Sequence, residues 1–73
     1  MKNTCVYMQV MVEMFLRNMD SHALAEKAGI SYPSLRRKLR GEGSLGLEEA
    51  KRIRWALDSD KPLETLFERR EDA

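Results

Sequence analysis

The sequence predicts an all-α fold, a compact domain of five short helices. Three observations predict it. Apolar residues recur at helical spacing in successive segments, capping residues mark the joins between them, and no run alternates apolar and polar as a half-buried strand would. The 73 residues make about one small domain, and 42% hydrophobic content with a formal charge of +1 excludes a mainly disordered chain.

The first helix is expected over about residues 4–17. Cys5, Val6, Tyr7, Met8, Val10, Met11, Val12, Met14, Phe15 and Leu16 cover most of its circumference. A surface helix needs an apolar stripe only somewhat over 100° wide, so this girth exceeds one buried seam. Asn18 suits a left-handed C-terminus. Asp20 then reads as the N-cap of a second helix, about 21–28, with Met19 stapling against Leu24. Leu24, Ala25 and Ala28 share one side of it, and Gly29 ends it.

Ser31 caps a third helix, about 32–40, with Pro33 in the first turn, where a missing N–H costs nothing. Leu35 and Leu39 face inward; Gly41 and Gly43 stop the helix. A fourth helix, about 47–57, turns Leu47, Ala50, Ile53 and Leu57 inward and has Glu48 and Glu49 at the positive end of its dipole. Asp60 is expected to cap a fifth, about 61–69, with Leu63, Leu66 and Phe67 on one face. Residues 68–73 form a polar tail. Trp55 and Phe67 read as core or partly covered aromatics.

The most informative stretch is Asp20 to Gly41, DSHALAEKAGISYPSLRRKLRG. Two short helices meet across Gly29-Ile30-Ser31. Ala25 leaves room for a close crossing. Gly29 supplies a turn conformation that a Cβ would oppose. Ile30 fills the gap beneath the turn, and Leu35 anchors the next helix. Through Leu24-Ala25-Glu26-Lys27-Ala28-Gly29-Ile30-Ser31 and Leu35, this stretch resembles the helix-turn-helix of the Cro/repressor-type (lambda-repressor-like, XRE) DNA-binding family. The helices around it extend the resemblance over about residues 5–67. It implies a five-helix lambda-repressor-like domain whose third helix enters the major groove of double-stranded DNA.

On a helical wheel with Leu35 and Leu39 inward, Pro33, Arg37 and Arg40 point most directly outward, Arg36 and Ser34 flank them, and Lys38 lies to one side. Tyr32 sits at the tip. By position, the resemblance assigns base reading to Tyr32, Pro33 and Arg37, and phosphate positioning to Ser21 and Ser31, joined by Ser34, Arg36, Lys38 and Arg40. Proline has no side-chain hydrogen bond to give, which concentrates readout on Arg37, able to pair bidentately with guanine. The charge distribution agrees. Residues 21–40 hold Lys27, Arg36, Arg37, Lys38 and Arg40 against Glu26, a net +4; residues 58–73 net −3, and the remaining segments cancel.

Other chemistry finds no support. Cys5 is a lone thiol, His22 a lone histidine read as a surface residue, and the serines have no histidine base placed for them. Glu13, Glu42, Glu48, Glu49 and Glu64 read as helix-face or loop acids with no buried carboxylate pair. The 41–46 loop lacks the lysine-serine end of a phosphate loop. No enzyme activity, cofactor, metal or small-molecule ligand is expected. No apolar run is long enough to span a bilayer, and no signal-peptide cleavage pattern follows the first residues, so a cytoplasmic setting is expected. With no residues left for a sensing domain, the resemblance implies a passive repressor of phage or prophage type. The girth of the first helix points to a homodimer matching a palindromic site. It also leaves a second reading, a protein-interaction module on the same fold, antirepressor or antitoxin-like.

Overall fold

The structure, a computed structural model, describes residues 5–69. Five helices follow in order: α1 Met8–Leu16, α2 Ser21–Ala28, α3 Tyr32–Leu39, α4 Leu47–Ala56 and α5 Leu63–Leu66. There is no strand among the described residues, only an isolated antiparallel bridge between Tyr7 and Arg69. Thr4, the expected start of the first helix, and the tail from Arg70 lie outside the described residues.

Local signals set most of these boundaries. The Asp20 carboxylate accepts from the Ala23 N–H at 2.8 Å, and the Ser31 hydroxyl accepts from the Ser34 N–H at 3.3 Å. Four helices end in the same way, on a residue of positive φ: Asn18 (52°) after α1, Gly29 (73°) after α2, Gly41 (85°) after α3 and Asp58 (52°) after α4. At each, the next N–H reaches back across the last turn, as in Ile30 to the Ala25 carbonyl (3.0 Å) and Glu42 to that of Arg37 (3.0 Å). These paired bonds satisfy carbonyls that a helix end leaves without partners.

The core joins all five helices. Leu24, Leu35, Ile53, Leu57, Leu66 and Val10 are fully buried. α2 packs on both α3 and α4; α5 packs on α1 and α4. Ala25 and Ala28 are buried on α2, where small side chains let the helices approach. Met19 and Ile30 pack on the core from either end of α2. Tyr7 meets Phe67 edge-on, with ring centroids 5.5 Å apart.

Several expectations are corrected. The first helix begins at Met8; before it, Val6 donates its N–H to the Leu39 carbonyl at 2.8 Å, which ties the extended entry segment to the end of α3. Leu47 is 65% exposed, because it lies at the first position of α4, outside the stack that Ala50, Ile53 and Leu57 build; Leu45 packs inward instead. Trp55, also on α4, is 67% exposed, two residues from Ile53 and so on nearly the opposite side of the wheel. The Lys27 ammonium stands 5.8 Å from its ring centre. Asp60 does not cap α5: the helix is a single turn whose N-cap is Pro62.

Glu13 is the largest departure. Expected on a helix face, it is 4% exposed. Its carboxylate is paired with both Arg17 and Lys61. The hydrogen bond from Lys61, helped by the charges of both cations and opposed by burial, holds its pKa below the ordinary glutamate value. Arg17 also donates to the Asp58 carbonyl at 3.1 Å. This cluster fastens α1 to the connection between α4 and α5.

Candidate nucleic-acid interface

The α2–α3 pair presents one continuous face. Leu35 and Leu39 are buried, which turns Pro33, Arg36 and Arg37 to solvent. Tyr32, Pro33, Arg36, Arg37 and Arg40 line a shallow concavity of about 330 Å³. Ser21, at the first position of α2, borders a neighbouring recess of about 230 Å³ with Arg36 and Arg40, against Met11 and Met14 of α1. Seven of the nine residues singled out in the sequence therefore have a place on or at the edge of this face: Ser21, Ser31, Tyr32, Pro33, Arg36, Arg37 and Arg40.

The other two are engaged elsewhere. The Ser34 side chain is half-buried, and its N–H is taken by the Ser31 cap. Lys38 turns toward α4 and pairs with Glu49. Glu49 also accepts from the Gly46 N–H at 3.1 Å, closing the first turn of α4. The Lys38 ammonium first, and the Gly46 N–H second, hold the Glu49 pKa below its ordinary value. Lys38 thus joins α3 to α4.

The remaining cations differ in their engagement. Arg40 contacts Glu42 at 3.2 and 3.5 Å, an exposed contact of the kind that contributes little and exchanges readily. Arg37 makes no side-chain hydrogen bond or ion pair among the described residues. Basic residues in the last turn of α3 complement the negative end of its dipole. The +4 counted along residues 21–40 is therefore concentrated, on this face, in Arg36, Arg37 and Arg40.

Tyr32 is not a loose tip. Its ring stacks on His22 with centroids 3.6 Å apart and planes 13° from parallel. The Arg36 guanidinium lies 5.7 Å from the same ring. A contact of this kind across the turn fixes the first residue of α3 against the first turn of α2. His22 is exposed, as its sequence reading as a surface residue has it, but its stacking on Tyr32 was not among the expectations. The only available signal was its place near the start of one helix, with an aromatic at the start of the next.

The Ser31 hydroxyl, accepting as a cap, keeps its O–H to donate outward. Backbone N–H groups in a helix's first turn favour an anion nearby. The face can therefore offer guanidinium, hydroxyl and amide donors to an extended polyanion. No group of acids, histidines or cysteines that could hold a metal occurs among the described residues, and no helix is long and apolar enough to cross a membrane. No family model matches the chain, and no curated protein or solved structure matches it.

Proposed function

We propose that this protein is a sequence-specific DNA-binding transcriptional regulator of Cro/repressor type, with a lambda-repressor-like domain that inserts α3 into the major groove of double-stranded DNA. One observation carries the reading: a short helix, buried through Leu35 and Leu39, turns Arg36, Arg37 and Arg40 outward beside the start of α2. Arg36, Arg40, Ser21 and Ser31 position the helix on phosphates. Arg37 reads a base edge, bidentately on guanine, and Pro33 packs on a neighbouring base. Tyr32, held by His22 and Arg36, sets the register of the helix tip.

Selection of bound sequences from random duplexes tests this directly. Arg37→Ala should relax preference at one base pair, where a bidentate contact supplies about 1–3 kcal/mol of discrimination. An unchanged preference in the variant defeats the assignment. Affinity should fall steeply with salt, by about 0.9 log unit per log unit of salt for each phosphate engaged. The exposed apolar side of α1 favours a second reading, a protein-interaction module of antirepressor or antitoxin type. Binding that barely responds to salt, with no affinity for any duplex at low salt, would select it.

A further inference from the structure

α1 is apolar on its inner side, through Val10 and Met14, and on its outer side as well. Its only ionisable side chain, Glu13, is turned inward and paired with Arg17 and Lys61. Its outer side carries Met8 and Val12, each 37% exposed, Phe15 at 83% and Leu16 at 68%. These positions follow i, i+4, i+7, i+8 and form one stripe. Scaled by those exposures, side chains of this size leave on the order of 400 Å² of apolar surface in water. That is about the size of the largest apolar patch on a typical monomer, which is often functional.

The same surface holds the complement of its most exposed side chain. Phe15 stands beside an open groove of about 380 Å³ whose other walls are Met14, Asn18, Met19, Asp20 and Ala23. An apolar cavity of about 150 Å³ suffices for benzene. A projecting ring next to a groove on one face provides both halves of an isologous contact, in which each molecule gives its ring and receives the other's.

We propose that α1 is a self-association face whose partner is a second copy of this chain, with Phe15 of each protomer seated in the other's groove beside Met14, Met19 and Ala23. A standard interface covers about 800 Å² per side, a little over half of it apolar. The α1 stripe supplies about that apolar half, and Gln9, Asn18 and Asp20 supply polar rim. A lipid surface fits less well, because interfacial helices carry Lys and Arg along their polar side. α1 has neither between Met8 and Leu16.

The inference is independent of what α3 binds, and its test contains no DNA. Sedimentation velocity of the full chain, from roughly 1 to 200 µM, should show a monomer–dimer equilibrium. Phe15→Glu should weaken it by about 30-fold or more, as loss of a central aromatic anchor does. Trp55→Glu, at an aromatic 67% exposed outside the stripe, should leave it unchanged. Phe15→Ser serves if Phe15→Glu loses its helical circular dichroism. A wild-type chain monomeric throughout, a dimer indifferent to both Phe15 variants, or equal loss in Trp55→Glu overturns the proposal. So does flotation of wild-type protein, but not of Phe15→Glu, with phosphatidylcholine–phosphatidylglycerol vesicles.

Discussion

Replacing Glu13 by glutamine removes one negative charge from a buried site that serves two cations. The magnitude follows from their surroundings. Breaking a fully buried ion pair costs about 3–5 kcal/mol, and an exposed pair contributes about 0–1 kcal/mol. Glu13 belongs to the first class, but the Arg17 and Lys61 side chains are 33% and 34% exposed and regain hydration once released. The loss should fall between the limits, at about 2 kcal/mol. A domain of this length has a total stability of roughly 4–11 kcal/mol, so the variant loses a large share. Its melting temperature, followed by circular dichroism, should drop by about 8–16 °C at pH 7.

The same site gives a pH signature. Glu13 titrates lower in the folded chain than in the unfolded one. Its contribution is therefore complete above the ordinary glutamate pKa of about 4.3 and is lost as pH falls through the depressed folded value. The gap between wild type and Glu13→Gln should close as pH falls from about 5 toward 2. Glu49, shifted in the same direction, leaves the variant some acid sensitivity of its own. Melting temperatures within about 2 °C at pH 7, or a gap that persists undiminished in acid, would refute the reasoning.

Two further substitutions separate roles within the α2–α3 unit. Lys38→Ala should lower stability by about 1 kcal/mol through loss of the Glu49 pair, as read by urea unfolding, and should leave base preference in a duplex selection unchanged. At Gly29 an added Cβ would meet nothing within 4 Å, whereas at Gly41 it would collide with the Arg69 guanidinium and touch the Val6 methyls at 3.4 Å. The Arg69 guanidinium is the far end of a flexible, exposed side chain and can swing aside, so with positive φ at both positions Gly29→Ala and Gly41→Ala should each cost about 1–2 kcal/mol in the same urea assay.

What was legible in the sequence was local. Asp20, Ser31, Gly29 and Asn18 act on backbone groups within a few residues, so their identities suffice to place the helix ends. Leu35 and Leu39 orient α3 because the rest of that helix is polar. α1 could not be oriented in this way. With apolar residues nearly all round, its periodicity selects no face, and the choice is made by Lys61, 48 residues away from Glu13. The direction of Lys38 is out of reach of the sequence for a related reason: it depends on Glu49, on another helix. Trp55 and Leu47 look like core by type alone, while their exposure follows from positions on α4 already taken by Ala50, Ile53 and Leu57. The stacking of His22 on Tyr32 depends on the angle between two helices, which neither residue encodes.

The shared left-handed endings of α1, α2, α3 and α4 have a kinetic consequence. Each helix carries its own stop, formed by bonds spanning only six residues, so helix lengths are set by local contacts before the core assembles. Competing registers are suppressed early, and local preference agrees with the final fold. The contacts most expensive in chain entropy are then those that bring α1 and its entry segment against α5 and the α4–α5 connection, where Tyr7 meets Phe67 and Glu13 meets Lys61. Folding should be rapid for the remainder of the chain and limited by that closure, so substitutions in the Glu13 cluster report on the order of assembly as well as on stability.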